Sequence, residues 1–381
     1  VLQAGGVLAG ASVLAACGTG DSASGSASSA SGAAAADLSD TEKKVAWSNW
    51  PLYIPSDDSG AFPTNVAFTE ATGVEIDYFE DINDNASFFS KVRTQLEQGQ
   101  PIDRDLVILS DWMAALWIQN GYALPLDKAV MPNAVANLQP KWADVGFDPG
   151  REYTMPWQSG YSGLVANKPL LQEKTGTDQL TSVEQIFDPA LKGRVTILSE
   201  MRDTMAVLIA YTGGDPTDFT DEEFYRAIDV LTQQIDSGQI RQVSGVDYTA
   251  AFESGDAIAG IGWNGIHVLG EDYSFTLPDT GGGLWTDNFL IPVSATHKKN
   301  AELIINHYYD PMIAAQVSAW VQYISPVKGT EEAMAEVDPS LVGNPNIFPT
   351  EADLEKAFVF MELTPEKSEE YTRAFEKAIG N

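Results

Sequence analysis

Val45-Ala46-Trp47-Ser48-Asn49-Trp50 reads as a strand. Behind it, Phe62 to Thr72 has helical spacing and stops at Gly73, and Val74 to Phe79 returns to a strand. A helix through Phe88 to Leu96 follows, then the apolar strand Leu106-Val107-Ile108-Leu109, then a helix from Asp111 to Asn120 with Gly121 as its stop. The same alternation recurs later: Val195 to Leu198 is a strand, while Met201 to Tyr211 and Asp221 to Gln234 are helices. Ala257 to Trp263, opened by Ser254-Gly255-Asp256, and Phe289 to Val293 are further strands. Strand and helix taking turns implies βαβ units and a parallel sheet. No period of 20–50 residues repeats, which excludes a solenoid. The chain's 381 residues exceed the roughly 100–200 of one domain, so an α/β protein of two lobes is expected.

Composition bounds the partners. With 54 Asp and Glu against 22 Lys and Arg the formal charge is -32. Nucleic acid is excluded, because phosphate binding needs a basic face, and anionic lipid head groups repel the chain as well. At 44% hydrophobic residues the chain is globular. Cys17 is the single cysteine, so neither an intrachain disulfide nor a cysteine metal cage is available.

Residues Val1 to Ala16 form an uncharged apolar run rich in small residues, too short for a membrane span and similar to the apolar part of an export signal whose charged beginning is missing. It ends in Leu14-Ala15-Ala16-Cys17-Gly18, which resembles a bacterial lipobox. Cys17 is the expected lipidation site, several acyl chains giving a stable anchor. The Gly/Ser/Ala segment behind it is expected to be a flexible tether, with 1–17 as signal and 18–42 as tether.

The chemistry of catalysis is poorly represented. His267, His297 and His307 lack metal-binding partners at i+4 and read as surface or core histidines. There is no H-E-x-x-H and no Walker loop, and Gly160-Tyr161-Ser162-Gly163 lacks one spacing residue of a nucleophile elbow. Gly260-Ile261-Gly262-Trp263-Asn264-Gly265 matches G-x-G-x-x-G, but Trp-Asn fills the turn that must admit a pyrophosphate. Asp81-Ile82-Asn83-Asp84-Asn85 begins like a calcium loop, yet Ala86 replaces the turn glycine and Val92 the bidentate glutamate. That run is expected to cap a helix before Ser87-Phe88-Phe89. No metal and no cofactor are implied.

What stands out is aromatic residues beside acids and amides at strand ends: Asn49-Trp50 with Tyr53, Ser110-Asp111-Trp112, Trp263-Asn264 and Trp285-Thr286-Asp287. Ligands of open α/β sheets bind beyond the carboxyl ends of strands. A lone indole there is an ordinary core or rim aromatic; four such junctions point to a cleft where rings attract ammonium groups, each contact contributing about 0.5–2 kcal/mol, and carboxylates fix the charge.

At these residues the chain resembles the bacterial polyamine-binding proteins, the spermidine/putrescine receptors of ABC importers. Trp47-Ser-Asn-Trp-Pro-Leu-Tyr53 is similar to their N-W-x-x-Y opening, Asp105-Leu-Val-Ile-Leu-Ser110 with Trp112 to D-L-V-x-x-S-x-aromatic, and Tyr153-Thr-Met-Pro156 with Gly160 and Asn167 to the Y-x-x-P stretch between lobes. Glu200-Met-Arg-Asp203 resembles the paired-acid D-x-R-E element, Ile261-Gly-Trp-Asn-Gly265 the I-W-N-G strand end, and Gly282 to Asp287 with Ile291-Pro292 the G-G-x-x-W-x-D-x-x-x-I-P stretch, before Tyr323-x-x-Pro326. The resemblance implies a two-lobed, type II periplasmic-binding-protein-like fold, each lobe a mixed or parallel sheet flanked by helices, with residues 43–156 and 288–325 in one lobe and 157–287 and 326–381 in the other.

It also implies a site. Trp50, Tyr53, Ser110 and Trp112 would line one lobe and Glu200, Asp203 and Trp263 the other, with Trp285 and Asp287 near the hinge and Tyr323 closing it. Glu200 and Asp203 would hold one ammonium and Asp287 another amine. Leu52 departs from the acid usual before the tyrosine, and the late glutamine has no counterpart near Phe358 to Leu363, so that end of the cleft is either less polar or served by Asp81, Asp84 or Asp111 instead. The expected protein is a monomeric, lipid-anchored, extracytoplasmic receptor with an ABC permease as partner. Its rivals are a receptor of the same fold for another cationic or amino-acid-like ligand, such as an opine or a cationic amino acid, with iron disfavoured by indoles where a Tyr/His cluster is needed, and a secreted hydrolase using Glu200 and Asp203.

Overall fold

The computed structural model describes residues 34–380. Its ten strands are β1 (Lys44–Asn49), β2 (Glu75–Glu80), β3 (Leu106–Ser110), β4 (Thr154–Asn167), β5 (Val195–Leu198), β6 (Ile240–Ser244), β7 (Ala259–Trp263), β8 (Tyr273–Thr276), β9 (Gly282–Leu290) and β10 (Ala357–Phe358). They form one sheet in the order β2-β1-β3-β9-β4-β7-β5-β6, with β8 added to β4 and β10 to β9.

The helices obey local signals. Pro63–Thr72 starts with proline in its first turn and ends on Gly73 at φ 72°. Asn85–Glu97 is capped by Asp84, whose carboxylate accepts the Ser87 N–H at 2.7 Å, as the acid-rich run before it predicts. Asp221–Asp236 opens with a capping box of Thr220 and Glu223.

The expectation of a parallel sheet holds at the two ends and for the short β10 beside β9. β1 pairs with β2 and β3, and β5 with β6 and β7, all parallel. Between these groups run β4 and β9, antiparallel to each other and to their outer neighbours β7 and β3. All 14 residues of β4 are buried, although Pro156, Gly160 and Gly163 disfavour a strand by propensity. Pairing on both edges overrides that preference, and the proline stands at the register shift between Pro156 and Gln158. For the same reason the strand expected from Phe289 begins seven residues earlier, at Gly282.

This ribbon makes the two lobes. The end of β9 pairs with β3 through Asp287–Leu290, and the far half of β4 pairs with β7 through Ser162–Ala166. Both parallel groups therefore aim their carboxyl ends at the ribbon's middle. A third crossing lies beside it, where Ile324 and Ser159 exchange backbone hydrogen bonds at 2.7 and 3.0 Å. Trp47, Trp157, Phe289 and Tyr308 pack with ring separations of 4.7–6.3 Å beneath one group. On the other side Tyr371 of the helix Pro365–Ile379 stacks on Phe224 at 3.9 Å.

Cys17, its lipobox and most of the expected tether lie outside the described residues. The chain is already held to the fold at Leu38, whose N–H reaches Thr296 O at 2.7 Å. No helix among the described residues is long and apolar enough to cross a membrane.

Candidate functional site

The carboxyl ends of β1, β3, β5 and β7 deliver side chains to one cavity. Trp50 and Tyr53 follow β1, Ser110 ends β3, and Trp263 ends β7. Glu200 stands at the N-terminus of the helix Met201–Tyr211 and Asp203 in its first turn, where the helix dipole favours anions. Trp285 and Asp287 come from β9. These eight, with Val246, line one narrow cavity, and no Lys, Arg or His is among its lining residues.

Glu200 and Asp287 are buried and Asp203 is half-buried, and the three are differently held. Asp287 has one donor on each oxygen: Tyr53 OH donates to its Oδ2 at 2.5 Å and Ser110 Oγ to its Oδ1 at 2.6 Å. Asp203 accepts from Ser162 Oγ and, at 3.3 Å, from Trp263 Nε1, both on Oδ1. Glu200 takes the Asn85 N–H at 2.6 Å and the Asn85 amide at 2.7 Å, both on Oε1. One oxygen each of Glu200 and Asp203 thus has no donor from another residue, which suits a pair of acids sharing an ammonium.

Burial dominates the electrostatics. Desolvation, with Asp203 and Asp84 nearby, pushes Glu200 up to about 8 against the two Asn85 donors. Asp287 rises to about 7 by burial, opposed by Ser110 and Tyr53. Asp203 is raised by the same cause, with Ser162, Trp263 and Arg202 pulling the other way.

Aromatic rings complete the walls. Trp50 stacks on Tyr53 at 6.0 Å and meets Trp263 edge-on at 6.0 Å. Tyr323 sits behind them, edge-on to Trp285 at 4.7 Å and to Tyr53 at 5.6 Å. Gly160 and Gly265 permit this packing, since a Cβ at the first would overlap Trp285 and at the second would lie 2.5 Å from Tyr323 OH.

Among the expected site residues Tyr323 backs the aromatic wall without lining the cavity, and Trp112 leaves the site altogether. It lies outside the cavity lining, and its ring receives the Arg202 guanidinium at 4.0 Å, a cation–π contact spanning the cleft. The first turn of the helix Asp111–Gln119 carries the indole past the cavity toward Arg202, which also donates to Ser368 Oγ at 3.1 Å. Of the substitutes for the missing acid, Asp81 is bound by Arg104 at 2.8 Å, Asp84 caps its helix, and Asp111 accepts from Asn288 at 2.7 Å; none lines the cavity.

Three contributors went unread in the sequence, Asn85, Ser162 and Val246, whereas Asn264 stood in one of the strand-end junctions already singled out. Asn264 is buried, accepting the Tyr161 N–H at 2.8 Å and donating to Gln322 O at 2.9 Å, which ties β4 to the segment carrying Tyr323. Asn85 and Ser162 belong to the runs set aside as a failed calcium loop and a failed elbow. Polar residues in a motif that does not fit were the available signal. Glu200 and Asp203 leave one helix terminus on the same side of the cavity, which does not suit the opposed carboxylates of a hydrolase.

The chain is similar to known proteins over most of its length. It is 23% identical over 329 residues to the spermidine/putrescine-binding periplasmic protein of Salmonella typhimurium, covering 85% of this chain and 88% of that one. It is 25% identical over 364 residues to the putrescine-binding periplasmic protein PotF of Escherichia coli, covering 89% and 92%. The solved structure of a putative spermidine/putrescine ABC transporter from Listeria monocytogenes superposes with a TM-score of 0.75 at 22% identity, covering 88% of this chain and 99% of that one, and shows the shared two-lobed fold. The family model for bacterial extracellular solute-binding proteins matches residues 65–346, and the chain belongs to that family.

Proposed function

We propose that this solute-binding protein captures a polyamine of the putrescine/spermidine class in the cleft and delivers it to the permease of an ABC importer. The observation that carries the reading is the convergence of Glu200, Asp203 and Asp287 in a buried, aromatic-walled cavity with no basic residue in its lining. Buried acids without a countercharge hold on to protons; an alkyl chain bearing ammonium groups supplies the charge, while Trp50, Trp263 and Trp285 cover its methylenes. Glu200 and Asp203 take one terminal amine and Asp287 another. Closure strengthens these contacts by excluding water, and the ligand's preference for the closed state shifts the population toward it.

In the same reading Cys17 carries the lipid anchor, the protein acts as a monomer on the outer face of the membrane, and the lobes comprise residues 43–156 with 288–325 and 157–287 with 326–381. The relatives named above and the order of lipobox, tether and folded body support it. Calorimetry with spermidine and putrescine tests it. The double substitution Glu200→Gln with Asp287→Asn is expected to weaken binding at least about a hundredfold, since each hydrogen bond to a charged group contributes about 1.5–3 kcal/mol. Unchanged affinity would sink the assignment.

A further inference from the structure

The run Asn83-Asp84-Asn85, between β2 and the helix Asn85–Glu97, touches both loops that the opposite lobe brings to the cavity. Asn83 O accepts the Val246 N–H at 3.2 Å and Asn83 Oδ1 the Asp247 N–H at 3.1 Å. This approach requires Gly245, where a Cβ would collide with Asn83 O. Ser199 Oγ donates to Asp84 Oδ2 at 3.3 Å. Asn85, 1% exposed, is satisfied on every side: its N–H and one amide hydrogen go to Glu200 Oε1, the amide nitrogen also donates to Ser110 Oγ at 2.9 Å, and its Oδ1 accepts the Ser110 N–H at 3.1 Å. Arg104 holds the segment just before the run through Asp81 at 2.8 Å.

We propose that this run is a closure clasp and that Asn85 is its positioning residue, orienting Glu200 across the cleft so that ammonium binding and lobe docking become one event. The proposal rests on the polyamine reading for its ligand. Only an amide offers two donors and an acceptor in this place without adding charge, and Ser110 connects it onward to Asp287. Opening the lobes strips Glu200 of both donors, leaving a buried-state carboxylate to be resolvated. Burial by itself favours a protonated Glu200 in the closed state, and the two Asn85 donors together with an ammonium on its free Oε2 allow it to close ionised. The charged groups around Glu200 are Asp84 in the clasp, Asp203 and Arg202 on its own helix, Asp287 beyond Ser110, and Asp247 on the loop that Asn83 holds.

The test is Asn85→Ala, with Asn85→Ser keeping one donor as the milder variant. Without ligand, the Glu200 carboxyl is titrated by ¹³C NMR; its midpoint should move up in Asn85→Ala and less in Asn85→Ser. With spermidine in calorimetry, Asn85→Ala should bind about ten- to hundredfold more weakly at pH 7, the gap narrowing as pH rises. An unmoved midpoint, or equal affinity at every pH, overturns the clasp. A moved midpoint in a wild type that binds no amine upholds the clasp and sinks the polyamine reading, which separates the two failures.

Discussion

Leu52 shows how one residue can carry two messages. It replaces an acid usual in the resembling family, and the structure places it at φ 65°, in the left-handed region, outside the cavity lining. Its N–H reaches Glu80 at 2.9 Å and its carbonyl accepts Trp320 Nε1 at 2.9 Å, so the turn that presents Tyr53 is held from both sides. A leucine there is strained by about 1–2 kcal/mol, whereas asparagine tolerates this conformation. Leu52→Asn is expected to stabilise the protein by about 1 kcal/mol in urea unfolding while leaving spermidine affinity within about twofold. A destabilised variant would show that the leucine side chain, half-buried here, contributes more than its backbone strain costs. Trp112 carries the complementary lesson: its residue type fitted a ligand wall, but its rotation on the helix handed it to Arg202.

At the scale of elements, the strand ends explain why the site has glycines. β7 finishes at Trp263, and the chain then turns through Asn264 and Gly265 under the ring of Tyr323. Gly265→Ala would push a methyl group into Tyr323 OH and Cζ, at 2.5 and 2.7 Å. The expected cost is about 1–3 kcal/mol of stability by overpacking, with weaker amine binding as Tyr323 loses its place against Trp285 and Tyr53. Urea unfolding and calorimetry check both parts; a variant with wild-type stability and affinity would mean that the Tyr323 ring gives way freely. The local pattern located β1, β3, β5 and the helices after them within a few residues, because each carries its own periodicity and cap. It missed β4 and misplaced the start of β9, because their strand character comes from partners on both edges.

At the scale of the whole molecule, burial of acids links stability to pH. Glu200 rises from an ordinary 4.5 to about 8, and Asp287 from 3.8 to about 7. In that window the folded protein retains protons that the unfolded chain has released. The contribution to stability therefore falls as pH rises from about 4, and the loss is complete once the folded values near 7 and 8 are passed. Without ligand, the melting temperature of the wild type should drop relative to Glu200→Gln between pH 5 and 8. Spermidine should restore it, most at the upper end. A difference between the two proteins that is constant over this range would contradict the raised Glu200.

Sequence alone determined a net charge of -32 that disfavours anionic partners, and the alternation of strands and helices that implies an α/β protein. It also marked which aromatics and acids stand at strand ends, because side-chain type and spacing are local properties. It left open which acids are buried, which polar residues hold them and which rings face the cavity. Those depend on the crossing of β4 and β9, which brings Asn85, Ser110, Glu200 and Asp287 together from distant parts of the chain. Desolvation and hydrogen bonding act through space, so the burial of these acids and the contacts that Asn85 makes across the cleft were decided only by the tertiary structure.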